Sequence, residues 1–88
     1  MRKLENKIEL KNIGYPVTAI LLSRTKKKAI YYRNDGCYEV FKISISPAAT
    51  IFGKDYPERE VYPGNEDFGF SAWCIRDEKK AYERYNNL

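Results

Sequence analysis

Five carboxylates, Asp55, Glu58, Glu60, Glu66 and Asp67, crowd one stretch of this 88-residue chain. Paired carboxylates can divide general acid and base work, and hard divalent cations prefer oxygen ligands. Here the spacing does not follow an EF-hand loop, and Lys54 and Arg59 sit among the acids. A solvated, charge-balanced loop is the plainer expectation, and a small hydrolase built on these groups is the most distant functional reading. Other chemistry is thinner still. The chain has no histidine, which excludes Ser-His and Cys-His nucleophile pairs and a histidine general base. Its two cysteines, Cys37 and Cys74, cannot close a four-thiolate zinc site. No glycine-rich phosphate loop is present, and Asp67-Phe68-Gly69 matches a kinase tripeptide without any of its companion motifs. The sequence therefore reads as non-enzymatic, with no cofactor and no metal.

Binding chemistry is better represented. Tyr31, Tyr32 and Tyr38 lie near Arg33 and the run Thr25-Lys26-Lys27-Lys28. Stacked bases on tyrosines with phosphates tracked by cations would be a single-strand nucleic-acid surface. Arg24, Lys26, Lys27, Lys28 and Arg33 are the candidate phosphate contacts. Strand alternation argues against a single platform, because one of Tyr31 and Tyr32 must turn toward the core. A cross-strand Tyr32–Tyr38 pair would stabilise a hairpin by about 0.2–1 kcal/mol whatever else it does. Net charge is +4, divided as +6 over residues 1–44 and −2 over residues 45–88, which implies two electrostatically distinct faces.

The second candidate is the segment holding Tyr56-Pro57 and Tyr62-Pro63-Gly64. Tyrosine is favoured at protein-binding hot spots, and proline lowers the ordering cost of binding. Tyr56 and Tyr62, with Glu58 and Glu60 steering toward a basic partner patch, make a protein-binding surface. The competing reading makes both rings lids over an open end of the core.

The elements that position these residues follow from local pattern. Ile8 and Leu10 alternate as in an edge strand, so residues 1–14 read as a short strand or ordered arm. Val17–Arg24 is β-branched and aliphatic, and Ala29–Arg33 and Cys37–Ile45 flank Asn34-Asp35-Gly36, a hairpin turn in which glycine supplies positive φ. A type I turn with a glycine bulge pairs Tyr32 with Tyr38 and Ile30 with Val40. Residues 68–75 read as one more strand, with Phe70, Ala72 and Cys74 on one face and Ser71, Trp73 and Ile75 on the other. Asp77 is a helix N-cap, and Ala81, Tyr82, Tyr85 and Leu88 form an apolar stripe at helical spacing. Together these predict one small α+β domain, an antiparallel meander of three to five strands with a helix over 77–88 packed on one face. The expected core is Ile20, Leu22, Ile30, Val40, Phe41, Ile43, Phe70, Ala72, Trp73, Ala81 and Tyr85, although Val40 and Phe41 cannot both face the helix. The longest apolar run, Val17–Leu22, is too short to span a bilayer, and no signal-peptide pattern opens the chain. The expected compartment is the cytoplasm, with Cys37 and Cys74 as reduced thiols.

The cadence "YEVFKI … NEDFG … AW … EKKAYERY" resembles small uncharacterised proteins of phages and mobile elements, over the C-terminal two-thirds of the chain. The resemblance implies an accessory protein and transfers no site residue. The leading functional expectation is a small protein-binding or adaptor domain, with nucleic-acid binding second. Oligomeric state stays open.

Overall fold

A computed structural model describes residues 2–10, 16–63, 69 and 72–88. Gly14, Glu66, Asp67, Phe70 and Ser71, on which parts of the sequence reading fall, lie outside the described residues. The central element is a five-stranded antiparallel sheet in the order β1 (Lys7–Leu10), β2 (Val17–Arg24), β3 (Lys28–Arg33), β4 (Tyr38–Lys42), β9 (Ala72–Ile75). One helix, α1 (Glu78–Asn86), packs against it, so the fold is α+β. Between β4 and β9 the chain leaves the sheet to form two small ribbons. β5 (Ser44–Ser46) pairs with β8 (Arg59–Val61), and β6 (Ala49–Ile51) pairs with β7 (Lys54–Tyr56). No helix among the described residues is long and apolar enough to cross a membrane.

Turn chemistry sets the β3–β4 register. Gly36 has φ 91°, and Tyr32 faces Tyr38 while Ile30 faces Val40, the pairing that the glycine-bulge turn predicts. The Tyr32 and Tyr38 rings meet at 4.9 Å on the helix side of the sheet. On that side Ala81 and Tyr85 bury against Ile30 and Val40. Asp77 caps the helix by accepting from Lys80 N at 3.0 Å, and Arg84 lies 4.6 Å over the Trp73 ring.

The opposite face is covered as well, which the sequence did not disclose. Ala19, Ala29, Tyr31, Phe41 and Ala72 form its floor, and Leu4, Ile8, Leu21, Ile43 and Tyr62 close over it. Val40 and Phe41 are therefore both fully buried, one on each side. Two expected core residues are corrected. Ile20 is 49% exposed because α1 stops short of β2, and Leu22 is 42% exposed because the β2–β3 register slips between Leu21 and Ser23. Trp73 is half-buried rather than central.

The expectation of separate thiols is also corrected. Cys37 and Cys74 form a disulfide with Cα atoms 6.0 Å apart. Glu39 faces Cys74 in the β4–β9 register, so Cys37, two residues earlier, lies diagonally across from Cys74 on the same face.

Candidate interaction surface

Among the described residues, the segment read from sequence as a charge-balanced loop contains strands β7 and β8. Pro47 follows β5 and cannot donate to its ladder, and the chain then runs out and back as the β6–β7 hairpin before Pro57. Every residue from 47 to 59 is exposed. Apart from each other, β6 and β7 make no more than glancing contact with any element among the described residues. The result is an arm. With it the molecule measures 46 × 30 × 22 Å, and its radius of gyration of 13.8 Å exceeds the value of about 12 Å expected for a compact chain of this length.

The arm is two-faced. Ala49 pairs with Tyr56 and Ile51 with Lys54, which puts these four on one side; Thr50 and Asp55 pair on the other, joined by a 2.8 Å hydrogen bond from Thr50 Oγ1. Ile51 is 51% exposed and Tyr56 47%, so the apolar side has no cover. At the tip, Phe52 has φ 53° and Gly53 φ 74°. Positive φ at both central residues is the type I′ arrangement that favours Asn-Gly and suits hairpin twist. A phenylalanine there bears the left-handed strain of a residue with a Cβ, roughly 1–2 kcal/mol. Its ring recovers nothing within the chain, because Phe52 is wholly exposed.

The proposed protein-binding residues separate. Tyr56 and Glu58 belong to the exposed arm. Tyr62 and Glu60 do not, and their assignment to a partner surface is corrected. Tyr62 packs edge-on to Tyr31 and Phe41, with centroids at 5.3 and 5.1 Å, and its hydroxyl donates to Glu39. Burial and the Glu39 carboxylate beside it push the Tyr62 phenol up from its ordinary value. Glu60 is 7% exposed and forked by Arg24, with Nη1–Oε1 2.7 Å and Nη2–Oε2 2.8 Å, while Leu4 N donates to Oε1 at 2.9 Å. The Arg24 hydrogen bonds lower the Glu60 carboxyl to about 2 against the opposing effect of burial. Tyr62 is thus the lid that the alternative reading expected, and Tyr56 is not.

The candidate nucleic-acid residues separate in the same manner. Arg24 is engaged by Glu60. Arg33 is mostly buried and donates to Glu39 at 2.9 Å and to Asp35 at 2.5 Å. Lys28 Nζ donates to Tyr85 O at 2.7 Å and lies 4.8 Å from the centre of that ring. Only Lys26 and Lys27 of the five project freely from the β2–β3 turn as exposed side chains. The tyrosine platform divides likewise, since Tyr31 is fully buried and its hydroxyl donates to Glu5 O at 2.7 Å. Burial pushes that phenol up to about 12. The carboxylates of that cluster among the described residues do not converge either: Asp55 sits on the arm, Glu58 is exposed at its root and Glu60 is interior. Phe52 and Ile51 are the residues that sequence reasoning missed. Their signal was a Phe-Gly pair inside "ATIFGKDY", a hairpin pattern obscured by the wrong residue for the turn. No family model, curated protein or solved structure matches this chain.

Proposed function

We propose that the chain is a small non-enzymatic binding domain whose partner is a protein, held through the arm of residues 47–59 with Phe52 as its anchor. The observation that carries the reading is one residue in two unfavourable circumstances. The Phe52 ring stands fully in solvent on a left-handed backbone, and both penalties are removed or offset only when the ring is buried elsewhere. Aromatic anchors entering a partner pocket dominate interface energetics, and a hairpin with prolines at both roots, Pro47 and Pro57, loses little further freedom on binding.

Charge supports a protein over a polyanion. Lys54 and Arg59 balance Asp55 and Glu58, so the arm is neutral, whereas nucleic-acid binding draws on uncompensated cations. The test is affinity capture from native lysate after nuclease treatment, comparing the wild type with Phe52→Asn and Tyr56→Ala. A protein retained by the wild type and lost from both variants supports the reading. Capture unaffected by either substitution, or abolished by nuclease alone, overturns it.

A further inference from the structure

The segment before β1 and strand β8 enclose a groove that the arm does not use. Leu4 packs onto the second face of the sheet, and the Tyr31 hydroxyl ties Glu5 O beside it. Backbone bonds fix the segment to β8, from Glu60 N to Arg2 O at 2.8 Å and from Arg2 N to Glu58 O at 3.4 Å. The groove has a volume of about 400 Å³, within the range of about 300–1,000 Å³ usual for small-molecule sites. Its apolar wall includes Leu4, Val61 and Tyr62, the last with its hydroxyl already given to Glu39.

The polar lining is unbalanced. Three cations, Arg2, Lys3 and Arg59, stand against two acids, Glu5 and Glu60. Glu60 is not available to them, because Arg24 forks both of its oxygens from outside the groove and Leu4 N adds a third bond. Glu5 holds Arg2 at 3.1 Å in a solvent-exposed pair, a kind of contact that constrains little. Lys3 and Arg59 make no ion pair among the described residues. The fold also sets Arg2 directly opposite Arg59 as ladder partners. Like charges so placed destabilise a ladder, and an oxyanion held between two guanidiniums turns that repulsion into attraction.

We infer that this groove binds a small organic oxyanion, a carboxylate or phosphate carried on an apolar body. Arg2 and Arg59 take the anionic head, and the body lies against Leu4 and Tyr62. The planar guanidinium fork matches both head groups, and Lys3 adds a point charge at the rim. The apolar body is required, because exposed cations alone hold a hydrated anion weakly and burial of apolar surface supplies the remainder. The inference is independent of the arm reading: Arg59 stands at the root of the arm, but neither Phe52 nor a partner protein enters the site.

The experiment is an amide NMR titration of the intact chain with naphthyl phosphate, naphthoate, inorganic phosphate and the uncharged naphthalenemethanol, each up to about 10 mM. Arg59→Gln, Arg2→Gln, Phe52→Asn and the distant control Lys79→Gln are titrated alongside, with circular dichroism melts confirming that each folds. At least one aryl anion is expected to bind with Kd below about 1 mM and to shift the amides of Leu4, Val61 and Tyr62; the tighter of the two names the head group. Inorganic phosphate and the uncharged alcohol are each expected to bind at least about tenfold more weakly, one lacking the body and the other the charge. Arg59→Gln and Arg2→Gln are expected to weaken the aryl anion by about tenfold each, whereas Phe52→Asn and Lys79→Gln leave it unchanged. No shift at those amides with either aryl anion overturns the proposal. So does an alcohol that binds as well as the anions, inorganic phosphate that matches them, or binding indifferent to both arginine substitutions. Loss of binding in Lys79→Gln to the same degree would reduce the effect to net charge and overturns it too. None of these outcomes touches the arm, whose reading stands or falls with the capture experiment.

Discussion

Replacing Tyr62 with Phe deletes one hydroxyl, and the structure assigns that hydroxyl a large effect. It donates to Glu39, a carboxylate 1% exposed whose other oxygen is held by Arg33 at 2.9 Å. Removing a donor to a buried charged group costs about 1.5–3 kcal/mol, so Tyr62→Phe should lose about 2 kcal/mol. Tyr62→Ala additionally forfeits two edge-on aromatic contacts, to Tyr31 and Phe41, and leaves a cavity, for a total of about 5 kcal/mol. Tyr56, on the exposed arm, has none of these partners, and Tyr56→Ala should cost less than about 1 kcal/mol. The assay is urea denaturation by circular dichroism with the disulfide intact, backed by thermal melts, in which the Tyr62→Phe loss corresponds to roughly 8–16 °C for a domain of this size. An unchanged midpoint for Tyr62→Phe, or equal losses for the Tyr56 and Tyr62 variants, would refute the assignment of one ring to the core and the other to the arm.

Three further outcomes follow from the same geometry. Reducing Cys37–Cys74, which closes a separation of 37 residues, should destabilise the chain by about 4 kcal/mol on chain-entropy grounds, read as a shift in urea midpoint with and without reductant. Because Glu60 is lowered to about 2 in the folded protein, its stabilisation is fully present above its unfolded value near 4.5 and is lost as pH falls toward 2; the stability difference between wild type and Glu60→Gln should therefore shrink over that interval and hold constant from there to pH 7. Phe52→Asn, which installs the preferred type I′ residue, should raise stability by about 1 kcal/mol, and a loss of stability would show that the ring packs within its own chain.

What the sequence disclosed was local. Asn34-Asp35-Gly36 carries its own turn chemistry, so the Tyr32–Tyr38 register was legible, and Asp77 announces a helix that needs only three residues of context. The hidden parts depend on distant segments. Phe41 and Tyr31 are buried because Tyr62 and Leu4 arrive over the second face of the sheet, and nothing near positions 31 or 41 records that arrival. Tyr56 and Tyr62 share a Tyr-Pro signature yet meet opposite fates, because Glu39 and Arg33 wait for one of them and not the other. Cys37 and Cys74 become partners only through the placing of β9 beside β4. The arm was missed for a different reason, since its tip breaks the turn preference that would have revealed it. That violation of a local rule, without any gain inside the chain, is what carries the proposal that Phe52 meets a partner.

The central claim is tested most directly by placing a photo-crosslinking phenylalanine analogue at position 52 in the native host, with the same probe at Lys79 on the exposed side of α1 as control. The account predicts a nuclease-resistant protein adduct, to a second copy or to another chain, from position 52 and not from position 79. An absence of protein adducts at position 52, or the same adducts from both positions, would contradict it.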